Sequence, residues 1–356
     1  MATREDFHYD DGRFAFARLR PTVSAVMRAE PEDFQVEEVL EITPSGDGEH
    51  RLLRVRKRDV NTHEVAIRLA RFAGVPQRDV SYCGIKDRRA VCRQWFSVRM
   101  AGRPEPAWLD YQDAEVAVLG CHRHRRKLRR GAHRGNRFTI TLRDINGARA
   151  DLETRLAETA RHGIPNYFGP QRFGAGGRNV VRALDVLTAK TRPRDRYRYG
   201  LYVSAARSWL FNRVLSNRVA AGNWNQALDG DVFMLDGSHS IFTADALDDD
   251  IRRRMAAMDL HPAGPLWGRG ELRVSARAAA IQRSALQGME TLCQALESAR
   301  CELQHRAFRA RVTNLNWGWD SRNVQLDFCL ARGVYATSVL RECVALRSVS
   351  QPNANS

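Results

Sequence analysis

The spacing of apolar residues changes twice along the chain. The first 21 residues are polar with isolated aromatics and carry little pattern. From Thr22 the reading is strand-like. Phe34, Val36, Val39, Leu40 and Ile42 lie between acidic residues over 33–42, and 51–57 alternates around Leu53 and Val55. Asn61-Thr62-His63-Glu64 reads as a helix start, with Asn61 as cap and Glu64 three residues on. Val65, Leu69 and Phe72 share a face of that helix, and Gly74 and Pro76 end it. Further strands are predicted around 95–100, at Val116 and Val118, and over 135–143, where Phe138, Ile140 and Leu142 line one face.

After about residue 148 the period becomes helical. Leu152 and Leu156 begin a helix that stops near Gly163, and others are predicted at 181–187, 206–219, 247–258 and 281–296. Strand signals here are confined to 232–235 and 272–274. From Arg311 the strand period returns, in 312–319 and in the strict alternation of Val324, Leu326, Phe328 and Leu330. Val339, Leu340 and Cys343 suit a last short helix, and the tail 351–356 is expected to be disordered. Strand-rich ends flank a helix-rich middle, without internal repeats or low-complexity segments. The pattern therefore predicts an α+β protein: a sheet domain built from 1–157 and 309–356, with a second domain inserted over 158–308.

The length of 356 residues suits two domains, and the 43% hydrophobic content is that of an ordinary globular protein. The charge changes the picture. Lys+Arg 57 against Asp+Glu 41 gives +16, with a pI near 10.2. Such a surplus points to a polyanionic partner, nucleic acid first and anionic membrane second. No run of about 18 apolar residues marks a membrane span, and the N-terminal residues have no apolar stretch of signal-peptide type. The seven cysteines are scattered and form no C-x-x-C pair, so neither a zinc site nor a disulfide framework is indicated. A reduced, soluble, cytoplasmic protein is expected.

Three stretches are candidates for chemistry. Residues 121–143 hold no acid, and His122-Arg123-His124-Arg125-Arg126-Lys127-Leu128-Arg129-Arg130 is the densest cation run. Such a row neutralises phosphates and releases counterions without reading sequence, which makes Arg125, Arg126, Lys127 and Arg129 candidate nucleic-acid backbone contacts, RNA or DNA. Next, 163–179 joins glycines with Tyr167, Phe168, Arg172 and Arg178. Arg172 is a candidate phosphate ligand there, although a loop packing its aromatics into a core fits the same residues. The third is Gly84-Ile85-Lys86-Asp87-Arg88-Arg89, which leads into Gln94-Trp95. It places one carboxylate among cations. Taken alone, Asp87 reads as a surface ion pair or turn cap, or as an anionic catalyst where a polyanion docks. His122 and His124 alternate among arginines, which disfavours a divalent cation, and no metal is expected. Glu37–Glu38 and Asp248–Asp250 read as solvated faces.

Gly84-Ile85-Lys86-Asp87 with Gln94-Trp95 resembles the catalytic motif of the tRNA pseudouridine synthase D family. Pro31-Glu32-Asp33-Phe34, Asn61-Thr62, Arg125-Arg126-Lys127-Leu128-Arg129 followed by Gly135-Asn136-Arg137-Phe138, Pro165-Asn166-Tyr167-Phe168-Gly169 with Gln171-Arg172-Phe173-Gly174, and 333–342 resemble further family motifs in the same order. The resemblance implies a pseudouridine synthase fold: a mixed, largely antiparallel sheet with flanking helices, plus an inserted α/β domain specific to the family. The two would form a V-shaped cleft for RNA. It implies that Asp87 is the catalytic aspartate, that the substrate is uridine at position 13 of certain tRNAs, and that the base is flipped out of its stack.

On that reading Phe138 and Tyr335 are candidates to stack on the base, and Phe34 walls the pocket. Asn136 reads the base edge or holds Asp87. Lys86 and Arg28 pair with Asp87 or a flanking phosphate. Without the resemblance, Phe138 on its alternating strand reads as core. Two positions depart from relatives: Tyr335 where Phe is common, and Arg28 where Lys is found. No cofactor is implied, tRNA is the partner, and a monomer is expected. The competing readings of the same charge pattern are a non-catalytic RNA-binding or tRNA-remodelling protein, and a metal-dependent nuclease.

Overall fold

The computed structural model describes residues 7–10, 12–189 and 195–347; the tail 351–356 lies outside them. In chain order the elements are β1 (Ser24–Met27), β2 (Phe34–Val39), β3 (His50–Arg58), α1 (Thr62–Phe72), β4 (Val80–Tyr82), β5 (Val91–Arg99), β6 (Val116–His124) and β7 (Gly135–Asn146). Next come α2 (Arg149–His162), β8 (Ile164–Pro165), α3 (Pro170–Phe173), α4 (Arg178–Thr188), α5 (Arg196–Ala220), β9 (Val232–Leu235), β10 (Ile241–Thr243), α6 (Asp249–Ala256) and β11 (Leu260–Leu266). The chain continues through α7 (Ala276–Ala285), α8 (Glu290–Ser298), β12 (Gln304–Ala307), β13 (Arg309–Ala310), β14 (Thr313–Asp320), β15 (Asn323–Ala331), α9 (Ala336–Cys343) and β16 (Ala345–Arg347).

Two compact units result. One comprises Pro21–Leu156, Val312–Gly333 and the described residues from Cys343 onward. It holds a ten-stranded sheet with the path β14-β15-β7-β2-β5-β3-β6; β1 joins β7 and β16, and β4 joins β5. The β2·β5 and β1·β16 pairs are parallel and the others antiparallel, so the sheet is mixed and largely antiparallel. The period-two alternation of β3, β5 and β6 buries Leu53, Val55, Phe96, Val98, Val116 and Val118 with Val65 and Leu69 of α1. Asn61 occupies the N-cap position of α1, but its side chain makes no capping bond.

The other unit comprises the described residues of Met1–Arg20, Ala157–Arg311 and Val334–Glu342. Residues 7–20 and Val334–Glu342 thus pack with the middle of the chain, where the pattern suggested the sheet domain. The reason is apolar: Phe7 and Phe14 are buried with Phe173 and Trp209 of this unit. Its four-stranded sheet runs β10-β9-β11-β12, and β8 pairs with β13.

Two expectations are corrected here, and one strand went unforeseen. The helix predicted over 281–296 is two helices, α7 and α8, separated at Gly288, whose φ of +80° no helix continues. Residues 272–274 form no strand. β11 escaped prediction because Pro262 and Pro265 lie within it, yet it pairs on both sides. Among the described residues, no helix is long and apolar enough to cross a membrane.

Gly135 sets the spacing of the large sheet at its β7–β15 contact. A Cβ there would lie 2.3 Å from the Leu330 carbonyl oxygen, so the strands must part to accept one. Gly135→Ala is expected to cost about 1–3 kcal/mol by overpacking. The measurement is the denaturation midpoint at unchanged m-value; an unshifted midpoint would show that the strand yields freely.

Candidate active site

The sheet register builds the site. Val36 of β2 lies opposite Phe138 of β7, and Glu38 opposite Asn136. Phe138 in turn faces Phe328, and Asn136 faces Leu330. On the other side Val36 pairs with Cys92, Cys92 with Lys57, and Gln94 with Val55. Side chains two residues apart along a strand share a face, so Lys57, Gln94, Glu38 and Asn136 stand among apolar neighbours on one face of the sheet. Lys57, Gln94 and Glu38 are buried.

These polar side chains hold the loop between β4 and β5. Lys57 is fully buried, and its Nζ donates to the backbone oxygens of Asp87 at 2.5 Å and Val60 at 2.9 Å. Burial pushes its ammonium below the usual lysine range, opposed by Cys92 and by the Asp87 charge. Gln94 Nε2 donates to the Gly84 oxygen at 3.3 Å, while Gln94 Oε1 accepts from Thr62 Oγ1 at 3.0 Å. Thr62 Oγ1 accepts from the Lys86 amide at 3.0 Å. Glu38 accepts from Lys86 Nζ at 2.7 Å and from the Trp95 amide at 3.0 Å. Every bond fixes backbone or a buried charge, so Asp87 sits on a loop with little freedom to move.

Asp87 itself faces outward, with 53% of its side chain exposed, and forms an ion pair with Arg28. Arg28 has φ +60°, a left-handed conformation that costs a non-glycine residue about 1 kcal/mol or more. Its guanidinium lies 3.9 Å from the centre of the Phe34 ring. Phe34 meets Phe138 edge-on at 6.0 Å, and Phe138 stacks on Phe328 at 5.4 Å. The structure therefore gathers Asp87, Arg28, Phe34, Phe138 and Asn136. Two buried polar atoms in this group, Arg28 Nε and Asn136 Oδ1, have no hydrogen-bond partner.

Other expected residues lie elsewhere. Lys86 reaches neither Asp87 nor the surface; it turns inward to Glu38. Glu38, read from sequence as part of a solvated face, is buried, because Phe34, Val36 and Glu38 alternate onto the core side of β2. Of the cations that flank Asp87 in sequence, Arg88 donates to the Asp59 oxygen and Arg89 to the Ala29 oxygen. The basic run leaves the end of β6 as a loop. There Arg125 pairs with Asp47, Lys127 Nζ donates to the Arg78 oxygen at 2.9 Å, and Arg126 and Arg129 are exposed.

Tyr335 and Arg172 belong to the other unit. The Tyr335 hydroxyl accepts from Arg172 Nη2 at 2.7 Å, and Arg172 Nη1 donates to Ser204 Oγ at 3.0 Å. Lys57 and Glu38 are the supporting residues that the sequence reading passed over. Both lay in plain period-two alternations, and their charge disguised their burial.

Glu38, Cys83 and His133 bring potential metal-ligand atoms within 4.8 Å of one another. The Lys86 ammonium already bonds the Glu38 oxygen, and burial pushes the Cys83 thiol up to about 12. This pocket thus holds an ammonium where a metal cation would need to sit, and its thiol stays protonated.

Comparison with known proteins bears on the whole chain. The family model for tRNA pseudouridine synthase D (TruD) matches residues 12–183 and 195–343. The chain is 49% identical over 319 residues to a tRNA pseudouridine synthase D of Methylococcus capsulatus, covering 89% of this chain and 90% of that one. It is 45% identical over 336 residues to that of Nitrosococcus oceani, covering 93% and 94%. A crystal structure from Methanosarcina mazei, assigned to the same synthase, superposes with a TM-score of 0.74 at 21% identity. It covers 95% of this chain and 98% of that one, which shows the fold.

Two measurements probe the buried supports. Glu38→Ala leaves the Lys86 ammonium buried without its carboxylate and should cost about 3–5 kcal/mol, and Glu38→Leu with Lys86→Met should recover much of the loss. A single variant within 1 kcal/mol of the parent would mean that water reaches Lys86. The second concerns His133, whose pKa is held below the ordinary histidine range by burial and then by Lys86. The unfolded chain takes up this proton more readily. The stability contributed by neutral His133 is therefore present above the unfolded pKa of about 6.5 and is lost as pH falls through the folded value. His133→Gln should flatten the fall in unfolding free energy as pH drops below about 6.5; an unchanged slope assigns that acid loss to other groups.

Proposed function

Because this chain belongs to the tRNA pseudouridine synthase D family, we propose that it converts uridine at position 13 of tRNA to pseudouridine with Asp87 as its catalytic carboxylate. The protein is an isomerase of tRNA uridine: the N1–C1′ bond breaks, the uracil turns, and C5 bonds to C1′. The proton on C5 then leaves and N1 ends protonated. Substrate and product hold the same atoms, so the net reaction consumes no second substrate and no oxidant.

One observation carries the assignment of Asp87. It is a half-exposed carboxylate, ion-paired to Arg28, beside the Phe34–Phe138 ring pair, on a loop bonded down to the sheet. A single carboxylate can meet the electron-poor centre as the glycosidic bond opens and afterwards take the C5 proton. Its weak basicity is offset by fixed position, and effective molarities above about 10⁵ M are attained when reacting groups are held in line. Arg28 balances the charge and lies between Asp87 and the ring of Phe34, where an incoming uridine and its phosphate would displace or share it.

Uridine must leave its stack to react, at a cost of a few kcal/mol. On this reading the Phe34–Phe138 pair, buried in the structure beside the Arg28 guanidinium, becomes the replacement surface once uridine displaces Arg28, with Phe138 against the base and Phe34 as wall. The Asn136 amide oxygen, buried and unspent, suits the N3–H of uracil between its two carbonyls. Tyr335, held through its hydroxyl by Arg172, presents a further ring, and Arg172 with Arg125, Arg126, Lys127 and Arg129 contacts the RNA backbone. Lys86 is reassigned from substrate contact to loop support. The protein acts in the cytoplasm, where its tRNA resides.

Asp87→Asn should abolish the product while sparing binding. The expected result is at least a 1000-fold loss in the rate of pseudouridine formation, mapped at single-nucleotide resolution over a total tRNA pool. The tRNA dissociation constant should stay within about twofold. A variant that still modifies tRNA near the parent rate removes Asp87 from the chemistry. Product at another position with none at 13 removes the positional assignment.

A further inference from the structure

A cavity lies in the sheet unit, and none of the residues gathered around Asp87 lines it. It has a volume of about 1470 Å³, and no aspartate or glutamate lines it. One wall is the loop that follows β6, with Arg126, Lys127, Arg129 and Arg130. Arg78 and His63 face that loop from the region of α1, and Tyr82 and His50 belong to the lining strands.

Several arginines of this unit are matched by acids, whereas four that line the cavity are not. Arg54, Arg58, Arg68, Arg99, Arg134 and Arg143 each have a carboxylate partner. Within the cavity, Arg125 alone is matched, by Asp47. Among the described residues, the guanidinium groups of Arg78, Arg126, Arg129 and Arg130 have neither hydrogen bond nor ion pair. Unscreened like charges gathered round one concavity repel one another, and an anionic ligand relieves that repulsion. A second, independent sign is His50, which is about nine-tenths buried and lines the cavity with an Nδ1 that has no partner.

The volume decides the class of anion. Small-ligand sites span roughly 300–1,000 Å³, so this cavity exceeds what a phosphate or a single cofactor fills. Its lining also mixes cations with an aromatic face, Tyr82, and apolar Ile42, Val80 and Leu128. That combination matches unpaired RNA, whose phosphates take arginine and whose splayed bases take aromatic and guanidinium planes.

We propose that this cavity binds an unpaired stretch of the tRNA other than the reacting uridine, through Arg78, Arg126, Arg129 and Arg130 with a base against Tyr82. The proposal rests on tRNA being the substrate, but it concerns capture and not chemistry. It can therefore fail while Asp87 remains the catalyst, and can hold if Asp87 is not.

The test uses the full chain and two charge-matched triples. Arg78→Ala/Arg126→Ala/Arg130→Ala removes three unpaired cavity cations. Arg252→Ala/Arg253→Ala/Arg254→Ala removes three cations that have acidic neighbours on α6 in the other unit. Filter binding of tRNA across a salt series should show at least tenfold weaker binding for the cavity triple. The log–log salt slope should fall by about two to three, at roughly 0.7–0.9 per lost phosphate contact, while the α6 triple stays within about twofold. Ultraviolet crosslinking of the unmodified chain to tRNA should mark the peptide containing Tyr82. Equal losses in both triples reduce the effect to net charge and overturn the proposal, as does an unchanged slope. A third contrary result is pyrophosphate binding that the cavity triple abolishes while tRNA affinity is kept, which would make the cavity a small-anion site.

Discussion

Three buried polar side chains of the sheet hold the loop that carries Asp87. Lys57 bonds the Asp87 carbonyl, Gln94 the Gly84 carbonyl, and Glu38 the ammonium of Lys86. Each such group is costly in an apolar layer unless it is satisfied. The satisfaction runs through the loop backbone, so the loop's conformation and the stability of the sheet face are one constraint. Loosening the loop would orphan Lys57, Gln94 or Lys86. This accounts for a carboxylate that is half exposed to solvent and yet fixed in place. The cations next to Asp87 in sequence do not pair with it: Lys86 bonds Glu38, Arg88 the Asp59 carbonyl and Arg89 the Ala29 carbonyl, and Arg28 arrives from a separate segment to balance the charge.

Much of this architecture was legible in the sequence. The period-two runs placed β2, β3, β5, β7, β14 and β15, and the helical period placed α1, α2, α4, α5, α6 and α9. What escaped did so for identifiable reasons. Pro262 and Pro265 hid β11, because proline in a doubly paired strand runs against the ladder's need for donors. A glycine with positive φ split one predicted helix into α7 and α8.

At the site, Asp87, Phe34, Phe138, Asn136 and Arg28 were all named from the family resemblance. Lys57 and Glu38 were passed over, although Leu53-Val55-Lys57 and Phe34-Val36-Glu38 are clean alternations. A pattern of apolar residues shows which face is inward, but charge at the next inward position reads as an exit to solvent. Only the partner, contributed by a distant loop, reveals that the charge is inside. Lys86 fails by the same logic: its neighbours in sequence are solvent-facing, and its partner lies 48 residues away on another strand.

The surplus of +16 is likewise not spread evenly. Most arginines of the sheet unit that reach a neighbour are matched by carboxylates, and four without such a partner, Arg78, Arg126, Arg129 and Arg130, line the cavity beside the loop after β6. Unmatched charge acts at a distance of about a Debye length, roughly 8 Å at physiological ionic strength, whereas a flipped base is read only on contact. Encounter and recognition are thereby divided in time. On the proposed roles, the cavity would shape the diffusional approach and so the association rate constant, while the Asp87 group would govern what happens during residence. Among many RNAs making brief encounters, those roles would make unstacking, not the first collision, the step at which one uridine is chosen over the rest.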